Sequence, residues 1–189
     1  MRILFLTDNF TPEVTPPATR TFNHCKEWIK DKNTNVTIIT SFPNFPFGKV
    51  YKGYKNKLYQ KEIISGINVI RVWTYMAENT GVLKRIIDQF SFALTSLFFG
   101  LFQKCDIIVG TSPQFFTVWT AFLLSKIKRK PWVFELRDIW PESIYTLGLI
   151  KNKKIISFLE KIEIYLYKDA DLIIPVTNAF KDNLVKRGI

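Results

Sequence analysis

The chain has 189 residues, 47% hydrophobic and 23% charged, which supplies the core of one α/β domain and excludes a disordered polymer. Its formal net charge is +11 at pH 7, a balance that points to anionic partners (nucleic acid, acidic lipid or phosphorylated substrates) without choosing among them. Two distant cysteines, Cys25 and Cys105, and a single histidine, His24, exclude a disulfide framework, a metal-ligand spacing and a histidine-based triad.

Arg2 to Thr7 is almost wholly apolar, as a strand inside a parallel sheet is. It is too short for the hydrophobic stretch of a secretory leader. Pro12, Pro16 and Pro17 punctuate the loop that follows. Thr15 is placed to cap a helix that begins near Pro17 and runs to about Lys32, with Phe22, Cys25, Trp28 and Ile29 inward. Asn35 to Ser41 is a second strand. Residues 42 to 62 mix aromatic, proline and lysine residues over a length that is uncommon for a loop in a compact domain and often functional. Short strands near Lys61 to Ile64 and at Ile67 to Trp73 turn around Gly66.

Val82 to Gln103 is a helix with two apolar stripes. One holds Leu83, Ile86, Ile87, Phe90, Leu94, Leu97, Phe98 and Leu101; the other holds Phe92, Phe99 and Phe102. A helix apolar nearly all round is either deeply buried or touches lipid. Asp88, Gln89 and three hydroxyl residues argue against a membrane span. A strand at Asp106 to Gly110, a helix at Phe115 to Lys126 and a strand at Trp132 to Leu136 come next. Then follow a helix at Lys153 to Tyr167 with Ile155, Ile156, Leu159, Ile162 and Leu166 inward, a strand at Asp171 to Val176, and a helix from Ala179 to Arg187 that Gly188 stops.

This alternation predicts a Rossmann-like α/β fold, a parallel sheet with helices on both faces. Ligands of such sheets bind outside the carboxyl ends of the strands. That rule selects four segments: 8 to 20, 41 to 48, 111 to 114 and 137 to 143. It makes Asn9, Arg20, Phe42, Asn44, Ser112, Arg137 and Glu142 the candidate substrate-binding residues and Asp138 the candidate catalytic one.

The segment Glu135-Leu136-Arg137-Asp138-Ile139-Trp140-Pro141-Glu142-Ser143 carries three carboxylates and an arginine at and beyond a buried strand, where unpaired charge is costly. Asp138 or Glu142 there suits sugar hydroxyls or proton transfer, and Arg137 suits a phosphate. A purely structural pairing of Arg137 with Glu135 or Asp138 is the alternative. In the first loop Pro16 and Pro17 remove backbone donors, so Arg20 is the better anion ligand. Lysines and tyrosines between residues 49 and 61 suit either nucleic acid or an anionic membrane surface. No helix-turn-helix, RNA-recognition or zinc-finger pattern supports nucleic acid, and no phosphate-binding glycine loop is present.

Four segments together resemble the N-terminal domain of family 4 glycosyltransferases, in particular the subgroup that adds amino sugars or deoxysugars during bacterial surface-polysaccharide assembly. They are residues 2 to 13 (RILFLTDNFTPE), Ala18-Thr19-Arg20, residues 41 to 51 (SFPNFPFGKVY) and Arg137 to Ser143. The resemblance spans essentially the whole chain. It implies the N-terminal, acceptor-side half of a GT-B fold, residues 1 to 189, with the nucleotide-sugar domain lying outside this chain. It also implies retention of configuration, no cofactor and no metal ion. The Glu-x7-Glu pair usual in the second half has no counterpart here. Two positions depart from the pattern. Thr15-Pro16-Pro17 replaces a Gly-Gly pair near the donor phosphates, and Arg137 replaces a histidine, which leaves Asp138 as the polar candidate.

The partners so implied are a nucleotide-sugar and a lipid-linked or oligosaccharide acceptor, plausibly polyprenyl-diphosphate-linked. Peripheral contact with anionic lipid at the cytoplasmic face of the inner membrane goes with them, and nucleic acid does not. A basic module that binds nucleic acid or another anionic polymer is the competing expectation.

Overall fold

The computed structural model describes residues 1–76, 82–139 and 152–189. A seven-stranded sheet forms the centre, in the order β3-β4-β2-β1-β5-β6-β7. The strands are β1 (Arg2–Leu6), β2 (Asn35–Ser41), β3 (Tyr59–Ile64), β4 (Ile67–Val72), β5 (Ile107–Thr111), β6 (Trp132–Leu136) and β7 (Leu172–Pro175). All neighbouring pairs are parallel except β3 and β4. The expected turn around Gly66 is their hairpin, with Ser65 at φ 50° and Gly66 at φ 86°, the positive φ pair that a two-residue hairpin turn requires. From β1 the chain builds outward through β2 to β4, then returns to add β5, β6 and β7 on the other side. The order therefore reverses between β1 and β5, which opens a crevice at their carboxyl ends.

Strand alternation sorts the core onto the two faces of the sheet. Ile3 and Phe5 of β1 join the layer containing Cys25 of α1 (Pro16–Trp28), against which Phe22, Trp28 and Ile29 pack. Leu4 and Leu6 point the other way. They belong to the layer that also holds Phe92 of α2 (Val82–Leu101), Val118 and Ala121 of α3 (Phe115–Lys128), Leu166 of α4 (Lys153–Asp169) and Leu184 of α5 (Asn178–Lys186). Gly110 lets α3 lie on β5: a Cβ there would meet the Ala121 Cβ at 2.6 Å. Thr15 caps α1, its Oγ1 accepting from the Ala18 N–H at 3.3 Å. The helix ends at Trp28, four residues short of the expected Lys32. In α4, Ile155 is exposed instead of inward, while Ile156 and Leu166 are buried.

Of the two stripes on α2, the shorter one faces the sheet. Phe92 and Ser96 are fully buried, and Phe99 stacks on Tyr59 at 4.8 Å between ring centroids. Most of the longer stripe, together with Phe102, remains exposed.

Arg71 of β4 is fully buried. Its guanidinium pairs with Glu62 of β3 and donates to the carbonyls of Ser41, at 3.0 Å, and Thr11. The Tyr54 ring lies 4.9 Å from it. One cation thus holds the first loop, the end of β2, the edge strand and the long loop together. Replacing it leaves two carbonyls and a carboxylate without their donor. Arg71→Met is therefore expected to lower stability by about 3 kcal/mol in urea denaturation. A loss well under 1 kcal/mol would show that this network does not hold the loops.

Candidate functional site

The segments expected at the carboxyl edge, the last of them described only as far as residue 139, meet there, and buried polar side chains tie them to one another. Glu13 in the first loop is 3% exposed. Its carboxylate accepts from the backbone N–H groups of Asn44 at 2.7 Å and Phe45 at 2.8 Å, and from Asn9 Nδ2 at 3.0 Å. Asn9 and Asn44, singled out separately in the sequence, are thus drawn to one carboxylate. Asn44 Nδ2 also donates to the Phe42 carbonyl at 2.9 Å. Phe42 itself is fully buried, so its ring is part of the interior and offers no face to a substrate. Phe42, expected from the sequence to contact substrate, directly follows β2 and has its side chain in the interior.

Asp8 sits in the crevice between β1 and β5. Its carboxylate accepts from Gln114 Nε2 at 2.6 Å. Its backbone carbonyl accepts from the hydroxyls of Thr40 and Ser41. Burial pushes the Asp8 carboxyl up to about 6, and the charge of Glu13 adds to the rise, while the hydrogen bonds from Gln114 and Ser41 oppose it.

On the other side of the crevice Ser112 is buried. Its Oγ accepts from the N–H groups of Arg137 at 2.8 Å and Asp138 at 3.2 Å. The hydroxyl therefore positions the turn that follows β6. Glu135, the fourth residue of β6, is 3% exposed. It pairs with Arg20 of α1, Nη2 to Oε1 at 3.1 Å, with His24 Nδ1 at 3.7 Å from the same oxygen. Its second oxygen, Oε2, is buried without a hydrogen-bond partner among the described residues.

Arg137, half-buried, reaches Thr111 Oγ1 with Nη1 at 3.4 Å. Burial draws its pKa down; the Glu135 charge resists and that of Arg20 adds to the fall. Two guanidiniums thus flank one buried carboxylate, a cluster suited to an anionic group that approaches from the open edge. Asp138 lines a small pocket beside it with Ser112, Pro113, Phe115, Phe134 and Glu163. Glu163, on α4, accepts from the Tyr167 hydroxyl and pairs with Arg187 at 3.0 Å. Glu142 lies outside the described residues.

Sequence reasoning did not single out Glu13, Arg71, Gln114 or Glu163. Glu13 stands in a segment that was named, and a carboxylate in a proline-rich loop was the signal available. Arg71 in an apolar strand was the other, because a lone cation in a buried strand needs partners.

The class defined by the fold is a Rossmann-like α/β domain with a crevice at its switch point. No family model and no curated protein matches the chain. Among solved structures, sucrose-phosphate synthase from Thermosynechococcus elongatus is similar, with a TM-score of 0.66 at 10% sequence identity. The alignment covers 98% of this chain and 44% of that one, so the chain spans under half the length of this structural relative. The likeness shows the fold: a mostly parallel Rossmann-like sheet matching one half of a GT-B architecture.

The Asp8 carboxyl generates a prediction. Its folded pKa of about 6 lies above the ordinary 3.8. Its favourable contribution is therefore complete below the unfolded pKa and is lost as pH rises through about 6. Asp8→Asn keeps an acceptor for Gln114 and removes the charge. Denaturation curves should show the variant gaining roughly 2 kcal/mol on the wild type between about pH 4 and pH 7. Parallel curves over that interval would mean that Asp8 is not buried against a second negative charge.

Proposed function

We propose that this chain is the acceptor-side half of a glycosyltransferase. In this reading the enzyme moves a sugar from a nucleotide-sugar to a lipid-linked glycan in the synthesis of a bacterial surface polysaccharide. The observation that carries it is the carboxyl-edge cluster: Arg20 and Arg137 around buried Glu135, with Asp138 in the adjoining pocket. Guanidiniums at such an edge match a phosphate or diphosphate on a substrate, and a carboxylate in a neighbouring pocket matches sugar hydroxyls. The fold likeness to a sugar-transferring enzyme that is more than twice as long supports it, as does the sequence resemblance.

Within this reading the nucleotide-sugar is held mainly by a second domain that faces the same edge. Arg137 and Arg20 bind the diphosphate of the acceptor. Asp138 accepts a hydrogen bond from the attacking hydroxyl and receives its proton as the new glycosidic bond forms, while the bond from the anomeric carbon to the donor's diphosphate oxygen breaks and the nucleoside diphosphate leaves with its electron pair. Asn9, Asn44 and Ser112 shape the edge from below. No cofactor or metal ion is invoked. A polyprenyl-diphosphate-linked acceptor places the enzyme at the cytoplasmic face of the inner membrane.

The test is a transfer assay on the full gene product, with a panel of nucleotide-sugars and a polyprenyl-diphosphate-sugar acceptor. Transfer should appear with one donor, and Asp138→Asn should lower kcat by about 10²-fold. Arg137→Gln should act chiefly on the acceptor KM. No transfer with any donor, together with tight and salt-sensitive oligonucleotide binding, would replace this reading with a basic binding module.

A further inference from the structure

The exposed apolar face of α2 is the longest among the described helices; α4 carries a shorter one at Ile155, Phe158 and Tyr165. Leu83, Ile87, Phe90, Leu94 and Phe98 recur at three- and four-residue intervals and lie on one side of the helix, and Phe102 follows directly after its end. Each is between 43% and 71% exposed. The body of the protein already uses the opposite side, through Phe92 and Ser96. Leu123 and Ile127 of the neighbouring α3, 38% and 59% exposed, widen the patch. A contiguous apolar surface of this extent on a domain marks an interaction site.

The charges around it are nearly all of one sign. Lys84 and Arg85 stand at the start of α2, Lys104 follows its end, and Arg129 and Lys130 follow α3; all are exposed. Lys128 donates to the Leu101 carbonyl at 2.8 Å and closes the end of α2. Asp88 is the sole acidic residue on the two helices. No helix of the described residues is long and apolar enough to cross a membrane. A helix about 30 Å long, apolar on its outer side and rimmed by cations, fits the plane of an anionic interface rather than its interior.

The face also leads to the candidate site. α2 passes the carboxyl end of β4, where Thr95 Oγ1 donates to the Trp73 carbonyl at 2.9 Å and the Tyr75 N–H donates to Ser91 Oγ at 2.8 Å. Its N-terminal half therefore lies toward the edge where the site loops gather. Phe90 packs edge-on against Phe116 at 5.7 Å, Phe116 packs against Phe115 at 5.8 Å, and Phe115 lines the pocket that holds Asp138.

We infer that the outer face of α2 seats the protein flat on an anionic lipid bilayer, and that the row Phe90-Phe116-Phe115 joins that bilayer to the site. Docking stands on the α2 surface alone. The joining row rests on the lipid-linked-acceptor reading proposed above.

The experiment is co-sedimentation of the full gene product with vesicles of phosphatidylcholine alone and of phosphatidylcholine mixed equally with phosphatidylglycerol, at low salt and at about 0.5 M salt. Binding should require phosphatidylglycerol and fall with salt. Leu94→Glu/Phe98→Glu and, separately, Lys84→Glu/Arg85→Glu should each lower it at least tenfold. Each variant is compared with the wild type only where it keeps the wild-type thermal midpoint and circular dichroism. Sedimentation velocity without lipid should show a monomer.

Undiminished vesicle binding by a folded Leu94→Glu/Phe98→Glu variant would overturn the inference. A wild-type dimer that this variant dissolves would do so too, assigning the face to a second copy of the chain. Equal binding to neutral vesicles would remove the anionic component and overturn it as stated. Transfer separates the two proposals. If the enzyme is active, Leu94→Glu/Phe98→Glu should retain activity on a water-soluble short-chain acceptor and lose it on a vesicle-embedded one. Vesicle binding without transfer by any donor would sink the functional reading and leave the docking face standing.

Discussion

A fully buried arginine organises the carboxyl edge of this domain. A parallel sheet delivers all its strand ends to one side, and the loops that leave them have no strand partners to fix them. Arg71 solves that for the first loop, β2, β3 and the long loop at once, through Glu62 and the carbonyls of Ser41 and Thr11. A buried guanidinium left without acceptors would cost several kcal/mol. Any arrangement of the loops that breaks these contacts is therefore disfavoured, and the edge takes one shape. Glu13 repeats the device with the opposite charge: a buried carboxylate collects the donors of Asn9, Asn44 and Phe45.

These fixed loops explain the electrostatics of the crevice. Asp8 is held beside Glu13 and partly shielded from water, and its proton becomes harder to remove. Across the sheet, Glu135 is placed below the surface with Arg20 on one oxygen and, among the described residues, no hydrogen-bond partner on the other. Arg137, half-buried nearby, is less well solvated than a surface arginine. Cations that water does not fully stabilise bind an arriving anion more strongly, because less hydration is lost when contact forms. Ser112 keeps Arg137 and Asp138 in register with this cluster through their backbone N–H groups.

The two sides of α2 express the same division between a fixed interior and an available surface. Its inner side closes the core against the sheet. Its outer side is largely apolar and lies among cations, with its N-terminal half toward the carboxyl edge of the sheet. A substrate with a lipid tail and a diphosphate head would meet both chemistries from one direction.

The strand and helix pattern was legible in the sequence because periodicity is local. Apolar runs and 3.6-residue stripes report the element without reference to what it packs on, and strand-end logic brought Asn9, Arg20, Asn44, Ser112, Arg137 and Asp138 to one edge. What the sequence by itself determined was thus an α/β domain and the side of it on which the candidate residues gather. Only the tertiary structure decided which stripe of α2 turned inward, since both are helical and the choice rests on the shape of the sheet beneath. It also decided that Glu135 meets Arg20, more than a hundred residues earlier, rather than Arg137 two residues on: residues two apart along a strand share a face but extend away from the sheet side by side, whereas α1 brings Arg20 over the end of β6. It placed the Phe42 ring inside, and it made Arg71 and Glu13 hubs, because their partners are carbonyls and amides of distant loops that no local pattern records.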